Sequence, residues 1–115
     1  MVEEARDRLR RVEVEDLDAE VAAGALVVDI RPDVNRREEG TLPGAVVIDR
    51  NVLEWRLDPT SGHHLPEAAE DRRIILFCND GWASSLAAVT LQDLGLINAT
   101  DLVGGYRAWV QTRRS

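Results

Sequence analysis

Three short apolar runs rich in β-branched residues constrain this chain more than any other feature. They are "ALVVDI" at residues 25 to 30, "AVVI" at 45 to 48 and "IILF" at 74 to 77. Nearly continuous apolar character, without polar alternation, is what a strand covered on both faces needs. Helical or irregular stretches separate the three runs, and that succession predicts an α/β domain on a parallel sheet. With 115 residues, of which 44% are hydrophobic, the chain has room for one ordinary core. Residues 1–115 are therefore expected to form a single domain, with 1–11 as a helical N-terminal extension.

The remaining segments fit around those strands. Val2 to Arg11 alternates charges at helical spacing, Glu4 with Arg8 and Asp7 with Arg11, and reads as a short solvated helix. A brief strand is expected around Val12 to Val14, then a helix from about Leu17 to Ala23 that Gly24 stops. "LPGA", Leu42 to Ala45, reads as a type II turn, and residues 57 to 71, with two prolines, as a long surface connection. "SSLAAVTLQDL", Ser84 to Leu94, is apolar over most of its circumference and should lie against the sheet. Gly95 would cap it, with Leu96 touching Leu91 across a Schellman turn. "ATDLV" is a last strand and "GYRAWVQT" a closing helix.

Charge and composition narrow the function. A net charge of -7 disfavours nucleic acid as a partner. No run is long enough for a bilayer span and the first residues lack the apolar stretch of a signal peptide, so a cytoplasmic protein is expected. The single cysteine, Cys78, cannot form an internal disulfide, and without clustered histidines it is too little for a structural zinc site.

Cys78 stands where the run 74–77 ends, and residues 79–83 lead directly into the helix at Ser84. Open α/β sheets bind ligands at this strand end. A short loop there can wrap backbone N–H groups around the preceding side chain, and with the helix dipole such a nest favours thiolate over thiol. Gly81 suits the curl of that loop, and Ser84 or Ser85 can cap the helix or offer a hydroxyl near the sulfur. The alternative is an inert core thiol, since free cysteine is often buried.

Several pieces in order, "VVDIRP" with Asp29 and Arg31, "GTLPGAVVI", "IILFCNDGWASSLAA" and "LGLINATDLVGGYRAW" with its Gly104–Gly105 pair, make the chain resemble a rhodanese-like domain from about Val12 to Trp109. That resemblance implies a three-layer α/β/α domain with a five-stranded parallel sheet and an active-site loop from Cys78 to Ala83. It implies that Cys78 accepts a sulfane sulfur as a persulfide and passes it to a thiophilic acceptor, with no metal or organic cofactor. The resemblance extends to substrate-binding roles for Asn79, Asp80, Gly81, Trp82, Ala83, Ser84, Asp29 and Arg31. "VLEWRLDP", residues 52 to 59, is similar to small bacterial rhodanese-like proteins of sulfur amino acid metabolism.

Departures from the family pattern qualify the activity. Active rhodaneses often carry arginine or lysine in the loop, where this chain has Asn79, Asp80, Trp82 and Ala83, and Thr41 replaces a common histidine. A carboxylate near the sulfur opposes both thiolate and an incoming dianion, so thiosulfate is expected to be a poor donor. A small-molecule or protein persulfide donor and a thiol acceptor fit better, acting on a monomer or weak dimer. The competing expectation is a binding or regulatory module without turnover. A phosphatase of the same fold needs an arginine six positions past the cysteine, where Ser84 stands.

Individual residues carry paired readings. Asp29 and Arg31 either line the site mouth, Arg31 supplying the missing cation, or form an ion pair between loops. Trp82 is either an aromatic wall of the site or a packed loop tip. His63 and His64 are adjacent and could not both point at one metal from a regular strand or helix face, so they read as loop histidines. Trp55 and Trp109 are expected as core anchors, and Arg36 to Glu39 as a solvated charge run.

Overall fold

The computed structural model describes residues 2–62, 65 and 71–114. Strands β1 (Leu26–Asp29), β2 (Val46–Val47), β3 (Ile74–Phe77) and β4 (Ala99–Asp101) form a parallel sheet in the order β2-β1-β3-β4. Val28 lies opposite Val46 on one side and Leu76 on the other, and Ile74 pairs with Ala99. The two inner strands are buried at every position, which explains their unbroken apolar character.

Alternate side chains of those strands feed two cores. Leu26, Val28, Ile74 and Leu76 pack with α4 (Leu53–Leu57) and α5 (Ala83–Asp93). Val27, Ile75 and Phe77 face the other way, onto Leu17 of α2 (Leu17–Ala22) and Tyr106 of α6 (Gly105–Arg114). The layered α/β arrangement is thus as expected. Two helices remain: α1 (Val2–Asp7), which packs on α5, and α3 (Asp33–Glu39), between β1 and β2. None of the described helices is long and apolar enough to cross a membrane.

Local signals were realised closely at two turns. Ala45 N–H donates to Leu42 O at 3.2 Å, closing the turn at Pro43–Gly44. At the end of α5, Leu96 N–H reaches Leu91 O and Gly95 N–H reaches Gln92 O, both at 3.0 Å, the paired bonds of a Schellman motif.

Four expectations need correction. Among the described residues the sheet has four strands, not five: Val12 makes only an isolated bridge to Leu102, because the chain enters a 3-10 turn at Val14–Asp16 before a ladder can extend. β2 is a two-residue edge strand with Val47 half exposed, so it is not covered on both faces. The N-terminal segment is not merely solvated. Ala5 and Leu9 are buried, and the arginines expected to pair along the helix reach other elements, Arg8 to Asp93 and Arg11 to Asp101. Trp55 is 49% exposed and anchors no core, whereas Trp109 is partly buried, 5.8 Å from Tyr106 between ring centroids.

Of the 57–71 connection, Leu65 is buried and donates its N–H to Arg56 O. His63 and His64 lie outside the described residues.

Candidate active site

Cys78 follows β3 directly, and the loop it opens is held from outside by its carbonyls. The first amides of α6 take two of them: Tyr106 N–H donates to Cys78 O at 2.8 Å and Arg107 N–H to Asn79 O at 3.0 Å. Gly81 O accepts from Arg6 at 3.0 Å, Arg11 at 3.3 Å and the Ser85 hydroxyl at 3.1 Å. With these carbonyls drawn outward, the Gly81 N–H turns inward and donates to Cys78 Sγ at 3.1 Å.

Glycine is required for that geometry. Gly81 has φ +81°, and a Cβ there would stand 2.9 Å from the Gly104 backbone nitrogen. A Cβ on Gly105 would collide with the Cys78 carbonyl oxygen. The Gly104–Gly105 pair thus lets α6 approach closely enough to take the loop carbonyls.

Behind the sulfur lies a buried polar cluster. Cys78 Sγ is 3.6 Å from Ser84 Oγ, and the Ser84 hydroxyl donates to Asp101 Oδ2 at 2.8 Å. Ser85 Oγ reaches the same oxygen at 2.7 Å. Asp101 is fully buried at the end of β4, and its charge is balanced by Arg11, which bonds both carboxylate oxygens. Neither serine caps α5: Trp82 occupies that position without a side-chain cap, and both serines sit in the first turn. The hydroxyl near the sulfur is Ser84.

On the outer side, the loop side chains enter a charged network. The Arg31 guanidinium is fully buried and holds Asp29 through Nε at 3.0 Å and Nη2 at 2.8 Å. It also donates to Asn79 Oδ1 and Gly40 O and lies 4.1 Å from the Tyr106 ring centroid. Asn79 Nδ2 in turn donates to Glu39. Arg107 joins Glu39 to Asp80, reaching the two Asp80 oxygens at 2.8 and 3.0 Å. The hydrogen bond to Arg107 holds Glu39 below the usual carboxylate range, and the Arg107 pKa is raised by Glu39 first and Asp80 second.

This network decides between several readings. Arg31 takes the ion-pair reading: its guanidinium is buried against Asp29, two residues away, and ties that segment to Asn79 and Gly40. Asp80, expected to burden the sulfur with a negative charge, is offset by Arg107. The run Arg36 to Glu39 is only partly solvated: Arg36 bonds Arg31 O and lies beside Asp29, and Glu39 belongs to the network.

Cys78 is partly buried at a cleft of about 400 Å³. Ile30, Pro32, Trp82 and Ala83 give the cleft apolar walls, and Trp82 is 61% exposed. Asn79, Asp80 and Arg31 also border it, as does Arg50, which the sequence did not single out. Sequence reasoning likewise missed Asp101, Arg6, Arg11, Glu39 and Arg107. The legible signal was Asp101, a carboxylate within an apolar strand that must find a cation when buried.

Comparison with known proteins identifies the family. The maize adenylyltransferase and sulfurtransferase MOCS3-2 is 31% identical over 86 residues, 75% of this chain and 17% of that protein. The chain thus spans about a sixth of the length of that relative. Among solved structures, a Rhodopseudomonas palustris CGA009 protein of unknown function, described as a possible tyrosine phosphatase, superposes with a TM-score of 0.86 at 31% identity, over 97% of this chain and 87% of that one. The human single-domain sulfurtransferase TSTD1 superposes with a TM-score of 0.76 at 25% identity, over 88% of this chain and 95% of that one. Residues 13–112 match the rhodanese-like domain, and it is to this family that the chain belongs.

Proposed function

We propose that Cys78 is a nucleophile that accepts sulfane sulfur as a persulfide and hands it to a thiol acceptor. The observation that carries this reading is the Gly81 N–H aimed at Cys78 Sγ at the edge of an open cleft. A backbone donor at the N-terminus of an eleven-residue helix favours negative charge on sulfur, in the thiolate and in the persulfide alike. In the first step the Cys78 thiolate attacks the terminal sulfur of a donor persulfide. The donor S–S bond breaks, and the donor thiolate leaves with the electron pair. An acceptor thiolate then attacks the outer sulfur of the Cys78 persulfide, and Cys78 departs as thiolate.

Within this proposal Gly81 holds the sulfur, Ser84 lies within reach of it and Trp82 and Ala83 flank the entering donor. Asp29, Arg31, Asn79 and Asp80 act as positioning residues. Since Arg31 is locked, thiosulfate, a dianion, is a poor donor and a low-molecular-weight or protein persulfide a better one. The same locked cation favours a second reading, a rhodanese-like module that binds a partner without turnover. The phosphatase activity suggested for the Rhodopseudomonas palustris protein finds no support at Ser84, whose hydroxyl is engaged by Asp101 where an oxyanion-binding arginine would be needed.

Intact-mass measurement tests the proposal. After incubation with a small persulfide or a protein persulfide, one added sulfur on Cys78, lost on addition of a thiol, absent from Cys78→Ser and much weaker with thiosulfate as donor, is the expected result. If no donor loads the wild-type protein, the transfer reading fails and the binding module stands.

A further inference from the structure

Among the cations near Cys78, Arg50 differs from the rest. Arg31 is buried in its bonds to Asp29, Asn79 and Gly40, and Arg107 is divided between Glu39 and Asp80. Arg50 stands on the cleft wall at the start of the 3-10 turn Arg50–Val52, just beyond edge strand β2. Asp49 fixes that turn by accepting the Asn51 N–H at 2.8 Å. The side chain of Arg50 is 42% exposed, and its ion pair is with Glu54, one helical turn on and itself 39% exposed. An exposed pair of this kind is weak and exchangeable.

We propose that Arg50 is a specificity-determining residue: it binds a carboxylate on the sulfur-bearing substrate, in exchange for Glu54, while the apolar body of that substrate lies between Trp82 and Pro32. The substrate class that follows is a thiol or persulfide with an apolar portion and a single carboxylate set back from the sulfur. A compact dianion does not fit, because the exchangeable cation found among the described cleft residues, Arg50, lies on the wall, while the sulfur itself meets neutral groups, the Gly81 N–H and the Ser84 hydroxyl. Glu54 serves as the internal competitor, holding Arg50 when the cleft is empty. This inference rests on Cys78 being a reactive thiol, as proposed above.

Thiol–disulfide exchange tests it without any sulfur transfer. Cys78 thiolate attacks an aromatic disulfide, the S–S bond breaks, a mixed disulfide forms on Cys78 and the second aryl thiolate leaves as the chromophore. Two probes are compared, dithiobis-nitrobenzoate, with a carboxylate on each ring, and neutral dithiodipyridine. The readout is the ratio of their second-order rates. Arg50→Gln is expected to lower the carboxylated-to-neutral ratio about five-fold, the scale of one exposed ion pair. Glu54→Gln is expected to raise the ratio, and added salt to shrink both differences. A ratio equal in wild type and both variants overturns the assignment of Arg50 and leaves the persulfide proposal intact. A Cys78 that reacts with neither probe overturns both.

Discussion

Gly81 concentrates the site's demands in one residue. Its amide meets the sulfur, its carbonyl is gripped by Arg6 and Arg11, and its positive φ puts the missing Cβ against Gly104. Gly81→Ala would force a side chain into a left-handed conformation and against backbone that cannot yield. The expected loss is about 3 kcal/mol, the upper range for one strained position, read from urea denaturation. The same variant should react more slowly with disulfide probes at Cys78, since the amide that faces the sulfur is displaced. Loss of stability with an undiminished thiol rate would show that the Gly81 N–H contributes nothing to reactivity.

At the scale of elements, the site depends on contacts that join α1, β4 and α6 to the loop. Asp101 ties the end of β4 to Arg11 and to both serines of α5, and it is fully buried. Asp101→Ala would leave the Arg11 guanidinium without its counter-ion in a largely buried position and the Ser84 hydroxyl without its acceptor, a loss of about 3–5 kcal/mol by equilibrium unfolding. Arg11→Ala should cost a comparable amount; a cost near zero would mean that the pair is dispensable. These contacts also mark the limit of what could be read from the chain itself. The inner strands, α5 and its Schellman cap were legible because apolar run length and glycine placement are local signals. The position of Cys78 at a strand end followed from them. The roles of Arg6, Arg11 and Arg107 were not legible, because which acid an arginine meets depends on the fold: the i,i+4 partners of Arg8 and Arg11 lost to Asp93 and Asp101. The fifth strand was overread for a related reason, as two alternating valines cannot indicate that the backbone curls at Val14.

Across the whole molecule, the two cores set the sheet, and the charged network at its carboxyl edge sets how open the site stays. Asp29, Arg31, Asn79, Glu39, Arg107 and Asp80 form a continuous chain from β1 to the first turn of α6, and Glu39 is the acid that joins Asn79 to Arg107. Arg107 holds the Glu39 pKa below its ordinary value of 4.5. A depressed carboxylate contributes stability that is fully present above its unfolded-state pKa and lost as pH falls through the lower, folded-state one. Glu39→Gln should therefore be less stable than wild type at neutral pH by a small margin, since the group is exposed and screened. That margin should persist down to about the ordinary carboxylate value and close below it as Glu39 takes up its proton. Urea denaturation of both proteins across the acid range measures it directly. A difference that stays constant through that range would mean that Glu39 holds Asn79 and Arg107 by hydrogen bonding alone, without its charge, and that the network is no acid-sensitive part of the fold.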